Sequence, residues 1–359
     1  MTPTIVHVAS AREWRGGQRQ VWLLAQALGR LGVKQVVVTG TGTELDQRLR
    51  SSNVTVRGVT WNAGIDPRAV PGILAEVRRR NVILHAHDAH ALTLAGVCAS
   101  LTRTPLVVTR RVDFPLRRQG FWTRADRVIA ISQAVAAVLA RSGLDSKRIA
   151  VVHSGISLED TRAATPLGIR RLLGISPSAR IAVNVAALVA HKDHATLLAT
   201  ADRLQGRYPD LHWAIAGEGN MRSRLEAQIE KLGLRGRVHL MGQISSPERL
   251  ILDADVFVMS SQEEGLGTSV LEALALGIPV ASTTAGGLPE MVGDGAGLLV
   301  APRDPAALSG AVSQVLGDAE LRSRLVARGR EVVLRFSDTR MADEMKSVYR
   351  SLAHSLEGS

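Results

Sequence analysis

Short apolar runs rich in β-branched residues recur along this chain, separated by stretches of helical spacing, and this alternation limits the folds open to it. Residues 4–9 read T-I-V-H-V-A, the composition of a strand buried on both faces. A helix is expected over 18–31, with Val21, Leu24, Ala25 and Leu28 on one face. Further strands are expected at 35–39, 54–59, from Val82 (V-I-L-H-A-H-D), 105–109, 127–132 and 149–153, with a helix over 67–80. The second half repeats the pattern at 181–186, 212–216, 238–241, 256–259, 280–283 and 297–300. Strand–helix alternation at this spacing predicts an α/β fold of two Rossmann-like, doubly wound parallel sheets. Ligands then belong beyond the carboxyl ends of the strands. A length of 359 residues fits two domains, at roughly 150 residues each. The boundary is expected at Ser154-Gly155, giving 1–160, 161–335 and a closing helix within 336–359 that starts after Arg335-Phe336-Ser337.

Composition removes several classes. No apolar run is long enough to span a bilayer, and the first ten residues, M-T-P-T-I-V-H-V-A-S, show no secretory pattern. The single Cys98, in A-G-V-C-A-S, excludes an internal disulfide and a cysteine-rich metal site, and fits a reducing cytoplasm. It reads as a small core residue rather than a nucleophile. Asp253-Ala254-Asp255 imitates a metal-binding D-x-D but falls where a helix ends and a strand begins, so it reads as a cap and turn. Gly40-Thr41-Gly42 and Gly293-Asp294-Gly295 are incomplete dinucleotide fingerprints and read as turns.

The chemistry concentrates in 262–280, Q-E-E-G-L-G-T-S-V-L-E-A-L-A-L-G-I-P-V. A strand precedes it, Glu264-Gly265-Leu266-Gly267 forms a turn, and Thr268–Leu276 has helical composition. A glycine-rich turn feeding a helix exposes backbone N–H groups at a positive helix end, which suits phosphate. Glu272 lies on a helix that is apolar nearly all round, so its carboxylate needs a partner. Gly16-Gly17 before the first helix offers a second, weaker place for an anion to approach backbone. His85, His87 and His90 crowd around the end of the strand from Val82, with Asp88 beside them. A metal cluster of His85, His87, Asp88 and His90 is not expected, because neighbouring strand residues point to opposite faces.

Glu264 and Glu272, set in E-G-x-G…L-E-A-x-x-x-G-x-P-V, resemble the signature of the family 4 retaining glycosyltransferases. The resemblance extends over nearly the whole chain. It implies the GT-B architecture: two Rossmann-like domains facing a cleft, the last helix crossing back to the first domain, and no bound metal or other cofactor. The donor would be a nucleoside-diphosphate sugar. It further implies that Glu272 holds the nucleotide ribose, that Glu264 lies against the donor sugar, and that backbone at Gly265, Leu266, Gly267, Thr268 and Ser269 holds the pyrophosphate. Lys192, in A-A-L-V-A-H-K-D-H, matches the family's diphosphate-gripping lysine, a compact cation for a departing diphosphate. The family arginine five residues earlier is Ala187 here, a departure that leaves the second phosphate charge without its usual partner. Gly217, Glu218, Gly242 and Gln243 match loops flanking the nucleotide base, Thr284–Glu290 another loop at the cleft, and Gly16-Gly17 a loop beside the donor phosphate. His87 matches a residue that touches the transferred sugar.

Charge adds a reading independent of family. Residues 1–160 hold 22 Lys and Arg against 11 acids, whereas 161–359 hold 22 of each. The net +11 therefore lies in the first domain, with runs at Arg78-Arg79-Arg80, Arg110-Arg111 and Arg117-Arg118. Arginine suits bidentate phosphate contacts, and basic surface draws a protein to anionic lipid. Arg110, Arg111, Arg117 and Arg118 are the candidate anion-binding residues for an acidic or lipid-linked glycan acceptor, such as a lipopolysaccharide core, at the inner face of the cytoplasmic membrane. Nucleic acid is not expected, since no recognition motif or stacking platform is evident. A nucleotide-sugar epimerase of the same shape, or a weakened nucleotide-sugar-binding protein suggested by Ala187, remain the alternatives.

Overall fold

The structure, a computed structural model, describes residues 3–52, 54–79, 81–116 and 120–357. Arg80, Arg117 and Arg118 lie outside the described residues. The chain divides into two compact units, Met1–Ser157 with Ser337–Ser359, and Leu158–Phe336.

The first unit is built on β1 (Thr4–Ala9), β2 (Gln35–Gly40), β3 (Thr55–Val59), β4 (Val82–Ala86), β5 (Leu106–Arg110), β6 (Arg127–Ala130) and β7 (Ile149–Val151). They form one parallel sheet in the order β3-β2-β1-β4-β5-β6-β7. The central strands β1 and β4 are buried on both faces, which is why their sequences run apolar without alternation. The order in which strands are added reverses between β1 and β4, the switch point at which open α/β sheets leave a crevice.

One face of this sheet is closed by the helix Gly16–Arg30 and the C-terminal helix Asp338–Glu357. Ile5, Ile83, Val107 and Ile129 pack there with Leu24, Leu28, Met341, Met345 and Tyr349. The returning chain is fixed where Ser337 bridges Ile156 and Asp338 N–H donates to the Ile156 carbonyl at 2.9 Å. Gly155 permits this approach, since a Cβ there would meet the Ser337 carbonyl oxygen at 2.6 Å. Cys98 is fully buried, and burial pushes its thiol up to about 11, in keeping with a core role.

The second unit carries β8 (Arg180–Val185), β9 (Leu211–Ala216), β10 (Val238–Gly242), β11 (Val256–Val258), β12 (Val280–Thr283) and β13 (Leu298–Val300). These are parallel in the order β10-β9-β8-β11-β12-β13, with the switch point between β8 and β11. Asp253 and Asp255 serve structure here. Asp253 accepts from the Ile169 N–H at 3.0 Å, and Asp255 accepts from the Ile181 N–H and the Arg170 guanidinium at 2.7 and 2.8 Å.

Two details differ from the sequence reading. The pair Gly16-Gly17 forms the first turn of its helix rather than a loop before it. The segment 67–80 opens as a 3₁₀ turn over Pro67–Ala69 before the helix Val70–Val77, because Asp66 caps the Arg68 N–H and proline fits a first turn.

Candidate active site

In each unit the candidate residues gather at the carboxyl edge of the sheet, around its switch point. In the second unit, the loop after β8 carries Lys192 and the loop after β11 carries Glu264. The two loops are tied together, since the Gln262 N–H donates to the His191 carbonyl at 2.8 Å and the Ser260 hydroxyl to the Lys192 carbonyl at 3.1 Å. Across this junction the Lys192 ammonium and the Glu264 carboxylate form a mostly buried ion pair. The Ser261 hydroxyl also donates to Glu264, at 3.3 Å. Beyond them the helix Thr268–Leu276 starts at Gly267 in the left-handed region, φ 93°, without a side-chain cap and without an acid in its first turn. The positive end of its dipole therefore carries no acid of its own, and the nearest carboxylate placed against it is Glu264, whose Cγ would lie 3.4 Å from a Cβ on Gly267.

Ser269 donates to the Val185 carbonyl at 3.0 Å, fixing the helix against the end of β8. Glu272, one turn on, is 1% exposed and engaged by its surroundings. That fits the demand that a carboxylate on an apolar helix find a partner.

The loops after β9 and β10 adjoin this edge. Gly217 has φ 148° and no room for a Cβ, which would overlap the Ala186 carbonyl. Gly217 N–H donates to Gly242 O at 2.8 Å, and Leu188 N–H to Glu218 O at 3.0 Å. Glu218 is paired to Arg222 at 2.7 Å, and Gln243 is exposed. The glycines of G-E-G thus have a packing reason of their own, the close passage of the Ala187-bearing loop.

In the first unit, His87 directly follows β4 and Asp88 caps the helix Ala89–Thr102 through the Ala91 N–H at 2.9 Å. Asp88 also accepts from the Ser10 N–H at 2.8 Å and from its hydroxyl, pinning the end of β1 to that of β4. His90 is exposed on the helix and takes no part in the buried cluster. The histidines do converge, but through a residue the sequence reading passed over. His7 is the register partner of His85, and His7, His85 and His87 are all buried, with ligand-capable nitrogens within 4.8 Å of one another. Period-two spacing puts His85 and His87 on one face. The signal that would have found His7 is its place on the neighbouring central strand, polar in an otherwise apolar run. Burial lowers all three pKa values, His7 to about 4, so the rings are neutral near neutrality.

Arg111 donates to His87 Nδ1 at 3.2 Å, and its methylene stem lies 3.9 Å from where a Cβ on Gly17 would stand. Burial lowers its pKa to about 10, offset by the Asp88 charge, and it stays cationic. Arg110 is committed elsewhere. It donates to the Val112 and Phe114 carbonyls at 3.2 and 2.8 Å and stacks on Trp122.

Residues 14–160 match the family Glycosyltransferase Family 4, and residues 169–332 match Glycosyl transferases group 1. The chain is 31% identical over 322 residues to the lipopolysaccharide core biosynthesis glycosyltransferase LpsE of Rhizobium meliloti, covering 89% of this chain and 91% of that one. It is 35% identical over 199 residues to the putative glycosyltransferase EpsD of Bacillus subtilis, a match spanning 54% of this chain and about half, 52%, of that relative. A D-inositol 3-phosphate glycosyltransferase of Corynebacterium urealyticum is likewise matched over 53% of its length, at 36% identity. Among solved structures, Anabaena HepE in complex with UDP and glucose superposes with a TM-score of 0.85 at 19% identity, over 97% of this chain and 100% of that one. With its two parallel-sheet units and near full-length likeness to LpsE, the chain belongs to family 4 of the glycosyltransferases and has the GT-B fold.

Proposed function

We propose that the chain moves a sugar from a nucleoside-diphosphate donor to an acceptor hydroxyl with retention of configuration and without a metal. The observation that carries this reading is the Lys192–Glu264 ion pair beside the uncapped helix Thr268–Leu276. A cation held by a carboxylate next to a positive helix end is poised to exchange that carboxylate for phosphate oxygens. Glu264, released, becomes an acceptor for donor-sugar hydroxyls, and Glu272 meets the ribose.

Catalysis then rests on position and on stabilising the departing diphosphate, since no carboxylate is assigned as a nucleophile. In the first unit Arg111, beside Gly17, is the cation offered to an anionic acceptor, and His87 faces the transferred sugar. HepE was solved with UDP and glucose, so a uridine donor is the first to test. The acidic or lipid-linked acceptor and attachment to an anionic membrane face are supported by the +11 charge of residues 1–160 and by the likeness to LpsE. Among the described residues no helix is long and apolar enough to cross a membrane.

The test is calorimetric titration with UDP-, GDP- and ADP-sugars, followed by the anomeric configuration of the product by NMR. Binding of one nucleotide class with slow donor hydrolysis supports the reading, and an inverted product removes retention. Donor binding without any turnover would favour a binding protein, the outcome to which Ala187 points.

A further inference from the structure

The three buried histidines offer six ring nitrogens, and their partners fix what each can do. Arg111 can only donate, so His87 Nδ1 accepts, at 3.2 Å. A neutral His87 then carries its proton on Nε2 and donates it to His7 Nδ1, at 2.9 Å. His7 in turn must carry its proton on Nε2. That atom and Gln35 Oε1 are both buried and neither makes a hydrogen bond. Gln35 is the neighbouring side chain that favours the charged form of His7, against the larger lowering by burial. The Gln35 amide is oriented from its other end, where Nε2 donates to the Ala25 carbonyl at 2.6 Å.

The chain Arg111–His87–His7 therefore begins at an obligate donor, and its polarity is fixed from that end. His85 stands outside it, held by the Tyr349 hydroxyl at 2.6 Å and the Thr109 hydroxyl at 2.7 Å, with its ring 4.1 Å from that of His87. The same accounting speaks against a metal site. A cation would need lone pairs that hydrogen bonds already occupy, in a place next to the Arg111 charge.

We propose that His7 is a positioning residue that holds His87 protonated at Nε2, leaving at Nδ1 a lone pair that a substrate hydroxyl takes over from Arg111. The Arg111 bond to His87, at 3.2 Å, is longer than that between His87 and His7, at 2.9 Å, and Arg111 is the partner best able to leave, since an acceptor phosphate would draw its guanidinium away. His87 would serve as a hydrogen-bond acceptor, never as an acid. The hydroxyl and the phosphate that draws Arg111 away rest on the proposed function; the tautomer does not.

Nitrogen-15 NMR of the imidazoles in the full chain near neutral pH tests it, with His87 assigned by its absence in His87→Gln. The parent should show His87 protonated at Nε2 and bare at Nδ1. His7→Gln should keep that pattern, because a glutamine amide can accept from His87. Arg111→Met should keep it as well, because His7 still accepts from Nε2, and adding His7→Leu should then lose it; Arg111→Met alone serves if the double variant does not fold. On UDP-glucose turnover, His7→Leu should lower kcat/KM by about tenfold or more, because the His87 ring loses the acceptor that orients it, while His7→Gln stays within a few-fold. Protonation at Nδ1 in the parent or in Arg111→Met, an unaltered tautomer when His7→Leu is added to Arg111→Met, or capture of one equivalent of zinc by the three rings would overturn the inference. A parent with the expected tautomer but no turnover of any sugar nucleotide would sink the functional reading and leave the tautomer assignment standing.

Discussion

Mild acid should loosen the first unit before the second, and the histidine cluster sets the size of the effect. His7 titrates near 6.5 when unfolded and about 4 in the fold, because burial disfavours its charged form. The folded pKa is the lower one, so below about pH 6.5 the unfolded chain binds more protons and stability falls as pH falls, down to about pH 4. At about pH 5 the unfolded ring is almost fully protonated and the folded ring almost fully neutral, a difference of about 2 kcal/mol from His7 alone. His85 and His87 are shifted in the same direction by the same cause and add to it. In the second unit His194, also held at about 4, is the one strongly buried counterpart among the described residues, with smaller shifts of the same sign at His212 and His239. A loss of this size is a large fraction of ordinary domain stability. Hydrogen exchange followed by mass spectrometry at about pH 7, 6 and 5, corrected for intrinsic rates, reads β1 and β4 separately from β8 and β9. The expected result is a steeper loss of protection in β1 and β4, by about one proton less in the His7→Gln variant. Equal pH dependence in the two units, or an unchanged slope in His7→Gln, would refute the reasoning.

Other outcomes follow from single contacts. Lys192→Ala should lower kcat more than it raises the donor KM, since the charge matters most as the diphosphate leaves; an unchanged kcat in steady-state assays would remove Lys192 from the mechanism. Gly155→Ala forces a Cβ against the Ser337 backbone and should destabilise the first unit by about 1–3 kcal/mol in urea titrations, whereas a neutral result would mean the returning chain is not held there. Sedimentation with vesicles should show salt-sensitive binding to anionic but not neutral lipid; equal binding to both, or none to anionic vesicles at low salt, would leave membrane attachment without support.

Much of this protein was legible without coordinates, for a physical reason. A strand buried on both faces must be apolar throughout, so the central strands, such as Val36–Val38 and Val82–Leu84, declare themselves, and regular alternation with helices leaves few topologies. The run from Glu264 to Glu272 is contiguous, so its turn, helix start and buried carboxylate were all readable from spacing. Contacts between residues distant in sequence were not. His7 lies 80 residues from His87 and became visible only when parallel pairing set β1 beside β4. The same holds for Gln35 and for Tyr349, which reaches His85 across 264 residues from the closing helix. Arg110 and Arg111 are adjacent in sequence and alike in charge. Tertiary structure alone decided that one guanidinium is spent on its own loop and on Trp122, while the other is aimed at His87. Successive residues at a strand end point to opposite sides, and only the surrounding fold determines which side holds the site.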